Sequence, residues 1–203
     1  MMIRPLLCLP LTALLTQAVL AQDAALDKRV LKLHALAGGD WCEPDAAPQD
    51  PDERLQRWTF NYRPKFDPEG EPQEVTLFRV WCMSGAYNVS HAYYLHDPYD
   101  GLVPLTFAQP TYEAIYDETE GEDGALKSLT VTGMGTANFL VNSDFDPNSL
   151  TVTSQSYWRG VGDASSAGWW IFEDGEFTLQ QFDIDASYDG EVNPETVVHY
   201  WRG

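Results

Sequence analysis

The chain has 203 residues, of which 31 are Asp or Glu and 12 are Lys or Arg, so its formal net charge at pH 7 is −19. A charge of this sign repels nucleic acid and anionic lipid surfaces, which argues against nucleic-acid binding. It leaves cationic proteins and divalent ions as candidate partners. The length suits one domain with its own core.

The N-terminal residues are typical of a secretory signal. Arg4 is the only charge before an apolar run from Leu6 to Leu20, and Val19 and Ala21 are small residues at the spacing that signal peptidase requires. We therefore expect cleavage of residues 1–21 and export to the periplasm or beyond the cell. The alternative is a buried N-terminal helix. The apolar run is short for a membrane span, so we expect no membrane insertion once it is removed.

Cysteine usage agrees with an oxidising compartment. Cys8 lies in the predicted signal, which leaves Cys42 and Cys82 as an even pair. The simplest account is a Cys42–Cys82 disulfide, since exported proteins form such bonds. Metal binding by the two cysteines is the weaker interpretation, because no Cys-x-x-Cys pattern or nearby His pair supports it.

One helix is predicted near the start of the mature chain. Asp23 is a candidate N-cap, and Gly38-Gly39 ends the pattern. The apolar residues of one helical face are Leu26, Val30 and Leu33. The segment 43–56 is rich in Pro and Asp and is predicted to be a loop.

From Leu55 onward the chain has the pattern of strands and turns. Segments rich in β-branched and aromatic residues recur at roughly twelve-residue spacing, separated by stretches of Gly, Pro, Asp and Asn. No helical pattern intervenes. The sequence therefore predicts an all-β fold over residues 22–203, either a single antiparallel β-sandwich or a partly closed barrel, with one short N-terminal helix.

One hairpin can be specified in detail. Asp174-Gly175 is typical of a two-residue primed turn. The cross-strand pairs that this turn predicts are Glu173–Glu176, Phe172–Phe177, Trp170–Leu179 and Trp169–Gln180. Because side chains alternate between faces, one face is predicted to be core and Trp169 to be more exposed. The predicted core residues are Trp170, Phe172, Phe177 and Leu179.

The stretch EVTLFRVWCMSGAYN is predicted to be a buried strand. Alternation places Phe78, Val80 and Cys82 on one face, facing the core, and the other face is expected to carry Leu77, Arg79 and Trp81. Gly85 is a candidate for a bulge or a positive φ that turns the chain.

Two stretches carry a family resemblance. CMSGAYN, Cys82 to Asn88, resembles a signature of a family of secreted proteobacterial proteins of unknown function. WRGVGDASSAGWWIFEDGEFTL, Trp158 to Leu179, is similar to that family's Arg-Gly-x-Gly-Asp stretch and the aromatic hairpin after it. The resemblance implies an exported, β-rich protein and brings no activity and no catalytic residues. Many members have a cysteine after Gly-Asp where this chain has Ala164. If that cysteine pairs with the one in the signature, the resemblance implies that Cys82 here must pair with Cys42 or stay free.

No motif of a known nucleophile or metal site occurs, and we assign no catalytic residue. The segment SHAYYLHDPYD contains Ser90, His91 and His96, which are residue types of a nucleophile-and-base site. However, His91 and His96 are five residues apart and fall on opposite faces of a strand. An extracytoplasmic hydrolase therefore remains an alternative without assigned residues.

The segment DIDASYDGE contains a candidate calcium loop. Asp185, Ser187 and Asp189 alternate before Gly190, as ligands do at the start of an EF-hand loop. The bidentate Glu of an EF-hand is missing, because its position is occupied by Thr196. An acidic turn is favoured, with calcium kept as a possible cofactor and a calcium-stabilised structural module as a further alternative.

Aromatic residues offer a candidate binding surface. The chain contains seven Trp and ten Tyr, and Trp81, Trp158 and Trp169 are the candidates for stacking on a sugar ring or a peptide side chain. Ordinary packing is the alternative for each. The sequence therefore favours an exported, non-enzymatic binding protein. Its candidate partners are a cationic envelope protein or a cell-envelope polymer.

Overall fold

The computed structural model describes residues 11–117 and 124–200. The first ten residues of the predicted signal, most of the predicted turn at 120–124, and Trp201 lie outside this part. The elements are α1 (Leu11–Ala37), α2 (Pro51–Arg54), β1 (Leu55–Tyr62), β2 (Gln73–Ser84), β3 (Val89–Asp97), β4 (Gly101–Pro104), β5 (Phe107–Tyr116), β6 (Leu126–Ala137), β7 (Leu140–Val141), β8 (Asp144–Asp146), β9 (Thr151–Tyr157), β10 (Ser165–Glu173), β11 (Glu176–Asp185) and β12 (Glu195–His199).

The strands form two five-stranded sheets and a two-stranded ribbon, all antiparallel. The first sheet has the order β1-β2-β3-β4, with β7 paired to β3; the second has the order β12-β11-β10-β9-β8; the ribbon is β5–β6. Within the described residues none of these sheets closes into a barrel. The predicted all-β class is confirmed, as a sandwich with one N-terminal helix packed against it.

The main core lies between the two sheets. It is dominated by aromatic residues in edge-to-face contact, such as Phe107 against Trp170, with ring centroids 5.4 Å apart. Such pairs stabilise beyond the area that they bury. Its fully or almost fully buried members include Leu77, Tyr93, Phe145, Val152, Trp170, Phe172 and Leu179.

A second core lies between α1 and the first sheet, so β2 is buried on both faces. Phe78 and Val80 pack with Val30 of α1, which confirms that they point inward. Leu77, expected on the other face, is also fully buried, because the second sheet covers that face. The helix is further fixed by His34, whose Nδ1 lies 3.0 Å from the hydroxyl of Tyr94.

Within the described residues helix α1 spans Leu11–Ala37 and ends directly before the predicted stop at Gly38-Gly39. Asp23 therefore lies inside the helix and does not cap it. Its carboxylate accepts a hydrogen bond from Nη2 of Arg57 at 3.0 Å. No helix in the described part of the chain is long and apolar enough to span a membrane.

The Cys42–Cys82 disulfide is present, with the two Cα atoms 4.2 Å apart. The backbone N–H of Glu43 also donates to the carbonyl of Cys82 at 2.9 Å. The crosslink therefore ties the segment after α1 to β2. The irregularity that was expected at Gly85 lies between Trp81 and Met83, at the cysteine itself.

The predicted hairpin is confirmed at its turn and over its first residues. Asp174 and Gly175 both have positive φ, 57° and 90°, as a primed turn requires. The pairs Glu173–Glu176, Phe172–Phe177 and Trp170–Leu179 all form. The fourth predicted pair is wrong by one residue, because a β-bulge shifts Trp169 opposite Gln181.

Candidate functional site

A cleft of about 310 Å³ opens between the ribbon and the inner face of the second sheet. At the cleft the second sheet carries small residues, whereas farther along it carries bulky core side chains. The ribbon and the sheet therefore leave space between them. The lining side chains are small, hydroxylated, amide or aromatic: Gln109, Pro110, Tyr112, Ala137, Phe139, Leu140, Val141, Ser154, Ser156, Trp158, Ser166, Gly168, Trp170 and Phe182.

The floor of the cleft is a patch of serines on β9 and β10. Ser156 lies directly opposite Ser166 in the ladder, and Ser154 lies opposite Gly168. The hydroxyl of Ser154 is engaged, since it donates to the carbonyl of Val141 at 2.8 Å. The hydroxyls of Ser156 and Ser166 have no hydrogen-bond partner within residues 11–117 and 124–200. They are therefore available to a ligand.

Gly168 and Trp170 shape the inner end of the cleft. A Cβ atom added to Gly168 would lie 2.3 Å from Cη2 of Trp170, so only glycine leaves room for the indole ring. That ring donates from Nε1 to the carbonyl of Ala108 in β5 at 2.7 Å. The contact holds the base of the ribbon against the second sheet and so fixes the width of the cleft.

Aromatic rings form the mouth. Trp158 and Tyr112 lie parallel, with 3° between their planes and centroids 5.8 Å apart. Trp158 also contacts Tyr188, which in turn contacts Tyr116. Burial, with Tyr116 and Tyr188 nearby, raises the pKa of the Tyr112 hydroxyl, which is therefore neutral at physiological pH.

An ion pair positions Trp158. Nε of Arg159 donates to Asp163 at 2.7 Å, and Nη2 donates to the other oxygen of the same carboxylate. The N–H of Gly190 adds a third bond to Asp163 at 2.8 Å. The Arg159 guanidinium beside it holds the pKa of the Asp163 carboxyl well below its usual range. The Arg159–Asp163 pair locks two loops together beside the ring of Tyr188.

The two stretches that carried the family resemblance meet beside this site. The side-chain amide of Asn88 donates to the carbonyl of Tyr157 at 2.7 Å and accepts from its N–H at 3.2 Å. Asn142 also donates to the Asn88 side-chain oxygen at 2.9 Å. Asn88 therefore joins the β2–β3 turn to the end of β9, next to Trp158.

The lining of the cleft contains no charged side chain within the described residues, although the protein carries a net charge of −19. Burying a charged ligand group without a partner costs roughly several kcal/mol. The arrangement of two available hydroxyls beneath aromatic rings therefore suits a neutral, polar ligand that presents a ring or a C–H face.

The three candidate tryptophans are not brought together. Trp158 stands at the mouth of the cleft. Trp169 lies half-buried on the opposite, outer face of the second sheet. Trp81 is only 6% exposed, and its Nε1 donates to Ser84 at 3.1 Å.

The candidate calcium residues serve as turn acceptors. The Asp185 carboxylate accepts from the N–H and hydroxyl of Ser187, at 3.1 and 2.7 Å, and from the N–H of Asn193 at 2.7 Å. Asp189 accepts from Glu191 and Asn193, and this lowers its pKa. The described part of the chain has no group of three or more His, Cys, Asp and Glu placed to hold a metal ion.

The histidines considered for hydrolysis are separated. Nδ1 of His91 lies 3.4 Å from the hydroxyl of Ser143, which also accepts from Tyr93 at 3.0 Å. Ser143 is 3% exposed and His91 9%, so the pair is closed to substrate. His96 points to the other face of β3, as expected from its spacing.

Sequence reasoning found Trp158 but missed the serine floor and Tyr112. The alternation of Ser154, Ser156 and Trp158 along one strand face was a readable signal. Nothing in the sequence placed the ribbon over that face, because in the part of the chain that the structure describes the ribbon shares no backbone ladder with either sheet.

Comparison with known protein families finds a match for this chain. The family DUF1176, described as "Protein of unknown function", matches residues 72–191, more than half of the chain. The matched region runs from the start of β2 to the loop after Tyr188 and contains all the residues that line the cleft. No curated protein and no solved structure matches the chain.

Proposed function

Because the chain belongs to the DUF1176 family, whose function is unknown, we propose a function from the site itself. The protein is an exported, non-enzymatic binding protein that holds a neutral ring of a cell-envelope polymer in the cleft between the ribbon and the second sheet. The observation that carries this proposal is the pair of available hydroxyls, Ser156 and Ser166, beneath the stacked rings of Tyr112 and Trp158.

The chemistry of the cleft supports a sugar ring. A sugar offers C–H faces to the aromatic rings and hydroxyls to the serines, and both are neutral like the lining. A peptide side chain is the competing occupant of the same space. We favour binding over hydrolysis because His91 and Ser143 are buried away from the cleft, and because no histidine or carboxylate lines it.

Export is supported by two features. The first residues combine Arg4, an apolar run and small residues before position 22. The Cys42–Cys82 disulfide is of the kind that persists in oxidising compartments. We expect the exported protein to start at Gln22, which the mass of the intact purified protein measures. A product that keeps residues 1–21, or that is retained in the cytoplasm, would contradict this.

The cleft proposal is tested with Ser166→Val, which removes a floor hydroxyl and fills space. The probes are cellotetraose, maltotetraose and tetra-N-acetylchitotetraose, titrated calorimetrically into the exported protein. We expect at least one probe to bind, and Ser166→Val to weaken that binding at the cleft at least tenfold. Ser128→Val, on the exposed surface of β6, is the matched control and should bind as the unmodified protein does.

Two outcomes of this experiment would overturn the proposal. Either Ser166→Val binds as well as the control, or none of the three sugars binds. The salt dependence of binding distinguishes a neutral sugar from the remaining alternative, a cationic envelope protein. Binding of a neutral sugar is insensitive to added NaCl. Attraction of a basic partner to the acidic surface weakens as NaCl is added, because salt screens the charges.

A further inference from the structure

Three chain reversals meet at the end of the sandwich that lies opposite the mouth of the cleft. They span residues 63–72, 97–101 and 173–176, and we call this surface the loop end. The first two lie side by side, because β2 pairs with both β1 and β3. The third belongs to the other sheet, and the Asp174 carboxylate in it accepts from the backbone N–H of Lys65 at 2.7 Å. The loop end therefore combines loops from both sheets, as the ends of a sandwich do.

The loop end presents two strongly exposed aromatic rings. Phe66 is 83% exposed and Tyr99 is 80% exposed, the highest values for large apolar side chains in residues 11–117 and 124–200. Exposed apolar side chains that are scattered singly are ordinary, whereas these two lie at the same end of the fold. Aromatic side chains are enriched at protein interfaces and carry much of the binding energy once a partner covers them.

Both rings project from loops that the protein already holds in place. The buried carboxylate of Asp97 accepts from the backbone N–H of Tyr99 at 2.7 Å. The loop that carries Phe66 is closed by a hydrogen bond from Nη1 of Arg63 to the carbonyl of Gly70. A partner does not need to order these loops, and this lowers the entropic cost of binding.

Acidic side chains are concentrated at the loop end. Its three reversals carry eight acidic and two basic side chains. Three reversals of similar total length at the cleft end, residues 85–88, 158–164 and 186–194, carry three acidic and one basic. The exposed aromatic rings therefore lie at the more acidic end of the sandwich. Six of the eight acidic residues at the loop end are exposed: Asp67, Glu69, Glu71, Asp100, Asp174 and Glu176.

We propose that the loop end is a docking surface for a basic protein. Lys and Arg side chains of the partner pair with the exposed carboxylates, and apolar side chains of the partner cover Phe66 and Tyr99. An apolar contact flanked by polar and charged groups is the usual anatomy of a protein interface. Complementary charge also speeds the encounter between the two proteins.

The rings and the carboxylates together select a basic protein over other occupants. An anionic protein, a nucleic acid or a second copy of this chain carries negative charge and would be repelled. A neutral glycan gains no charge attraction from the carboxylates. A cationic chain without apolar side chains, such as polylysine, leaves Phe66 and Tyr99 uncovered. A basic protein matches both features of the surface.

The loop end is independent of the cleft. Strand β10 runs between them, since Ser165 at one terminus pairs with Tyr157, next to Trp158 at the cleft mouth. Glu173 at the other terminus belongs to the loop end. A basic protein and a sugar can therefore be bound at the same time.

The test uses lysozyme, cytochrome c and ribonuclease A as basic probe proteins, titrated calorimetrically in about 0.15 M NaCl, where long-range attraction is screened. We expect at least one probe to bind. Phe66→Ala and Tyr99→Ala should each weaken that binding at least tenfold. Trp41→Ala is the matched control, because it removes a ring that is 72% exposed on the segment after α1. It should bind within twofold of the unmodified protein.

A second pair of variants separates the loop end from the net charge. Glu69→Gln with Glu71→Gln removes two exposed carboxylates from the loop end, and we expect at least tenfold weaker binding. Glu43→Gln with Asp45→Asn makes the same change of net charge at two exposed residues of the segment after α1. Binding of the probe should then stay within twofold of the unmodified protein.

Any of three outcomes would overturn the proposal. Either no probe binds, or the two double variants weaken binding equally, because net charge alone then explains the attraction. The third is that Phe66→Ala and Tyr99→Ala bind as Trp41→Ala does, because the partner then needs no apolar contact. Ser166→Val should bind the probe as the unmodified protein does, and a loss of binding there would place the basic protein at the cleft instead. Failure of sugar binding in the cleft would leave these readouts unchanged.

Discussion

The absence of a Cβ atom at Gly168 determines the width of the cleft. The indole of Trp170 occupies the space that a side chain at this position would need, with Cη2 only 2.3 Å from a Cβ built there. The same indole carries the hydrogen bond to Ala108 that holds the ribbon. A side chain at position 168 would therefore displace the indole and, with it, the ribbon that forms one wall of the cleft.

We predict that Gly168→Ala lowers the free energy of unfolding by about 1–3 kcal/mol, the usual cost of overpacking a core. Urea denaturation of the purified protein measures this change. Gly85→Ala is the control, because the nearest atom to a Cβ at that exposed turn is 3.6 Å away. An alanine at position 168 that leaves the unfolding midpoint unchanged would show that the indole can move aside.

The buried imidazole of His91 makes the stability of the fold depend on pH. Burial, reinforced by the nearby Arg79 guanidinium, lowers its pKa from 6.5 to about 4. Above pH 6.5 the imidazole is neutral in both states and has no effect. As the pH falls from 6.5 to 4, the unfolded chain takes up a proton that the folded protein refuses, so stability is lost over this window.

A shift of that size corresponds to about 3 kcal/mol. We expect His91→Gln to lose less stability than the unmodified protein between pH 7 and pH 4, by an amount of that order, measured by urea unfolding at each pH. His96→Gln, on the opposite face of the same strand, is the control. Parallel pH profiles for the unmodified protein and His91→Gln would refute the assignment.

At the scale of elements, the disulfide and helix α1 act together. The crosslink joins the segment after the helix to β2, and His34 and Val30 pack the helix onto the neighbouring strands. Strand β2 can be apolar on both faces only because this helix covers one of them. Without the crosslink, the helix would have to find the sheet from a far larger set of conformations.

We predict that Cys42→Ser with Cys82→Ser lowers the free energy of unfolding by roughly 3–4 kcal/mol, as loop entropy gives for a separation of 40 residues. Reducing agent should destabilise the unmodified protein by a similar amount and leave the double variant unaffected. Two freely labelled thiols in the native purified protein would contradict this prediction.

At the scale of the whole molecule, charge is the dominant feature. With 31 acidic and 12 basic side chains, the folded protein carries strong self-repulsion. The ion pairs of Arg57 with Asp23 and Asp27 lie at the surface and are partly exposed, so each contributes little. The pair of Arg159 with the buried Asp163 differs from them.

We therefore expect the melting temperature to rise as NaCl is added from low to physiological concentration, because salt screens the repulsion. Calorimetry measures it. Calcium chloride at matched ionic strength tests the loop of Asp185, Ser187 and Asp189 separately. A further rise with calcium, lost in Asp189→Asn, would support the calcium-stabilised alternative. A melting temperature that falls as NaCl is added would contradict the repulsion argument.

The sequence by itself determined the local features. Alternating apolar residues, the Asp174-Gly175 turn, the Gly38-Gly39 helix end and the even pair of cysteines each depend on neighbouring residues or on simple counting. They predicted an antiparallel β-sandwich or partly closed barrel, most of one hairpin register and the Cys42–Cys82 bond. Trp158 was found in the same way, as an aromatic residue on one strand face.

The tertiary structure alone decided which surfaces meet. Burial of both faces of β2 depends on a helix some 40 residues earlier in the chain, and the cleft depends on a ribbon that packs without a shared ladder. The register shift between Trp169 and Trp170 lies beyond the turn residues that set the predicted pairing. Such long-range contacts leave no periodicity in the sequence, because the partners are chosen by shape and by the space that neighbouring residues leave.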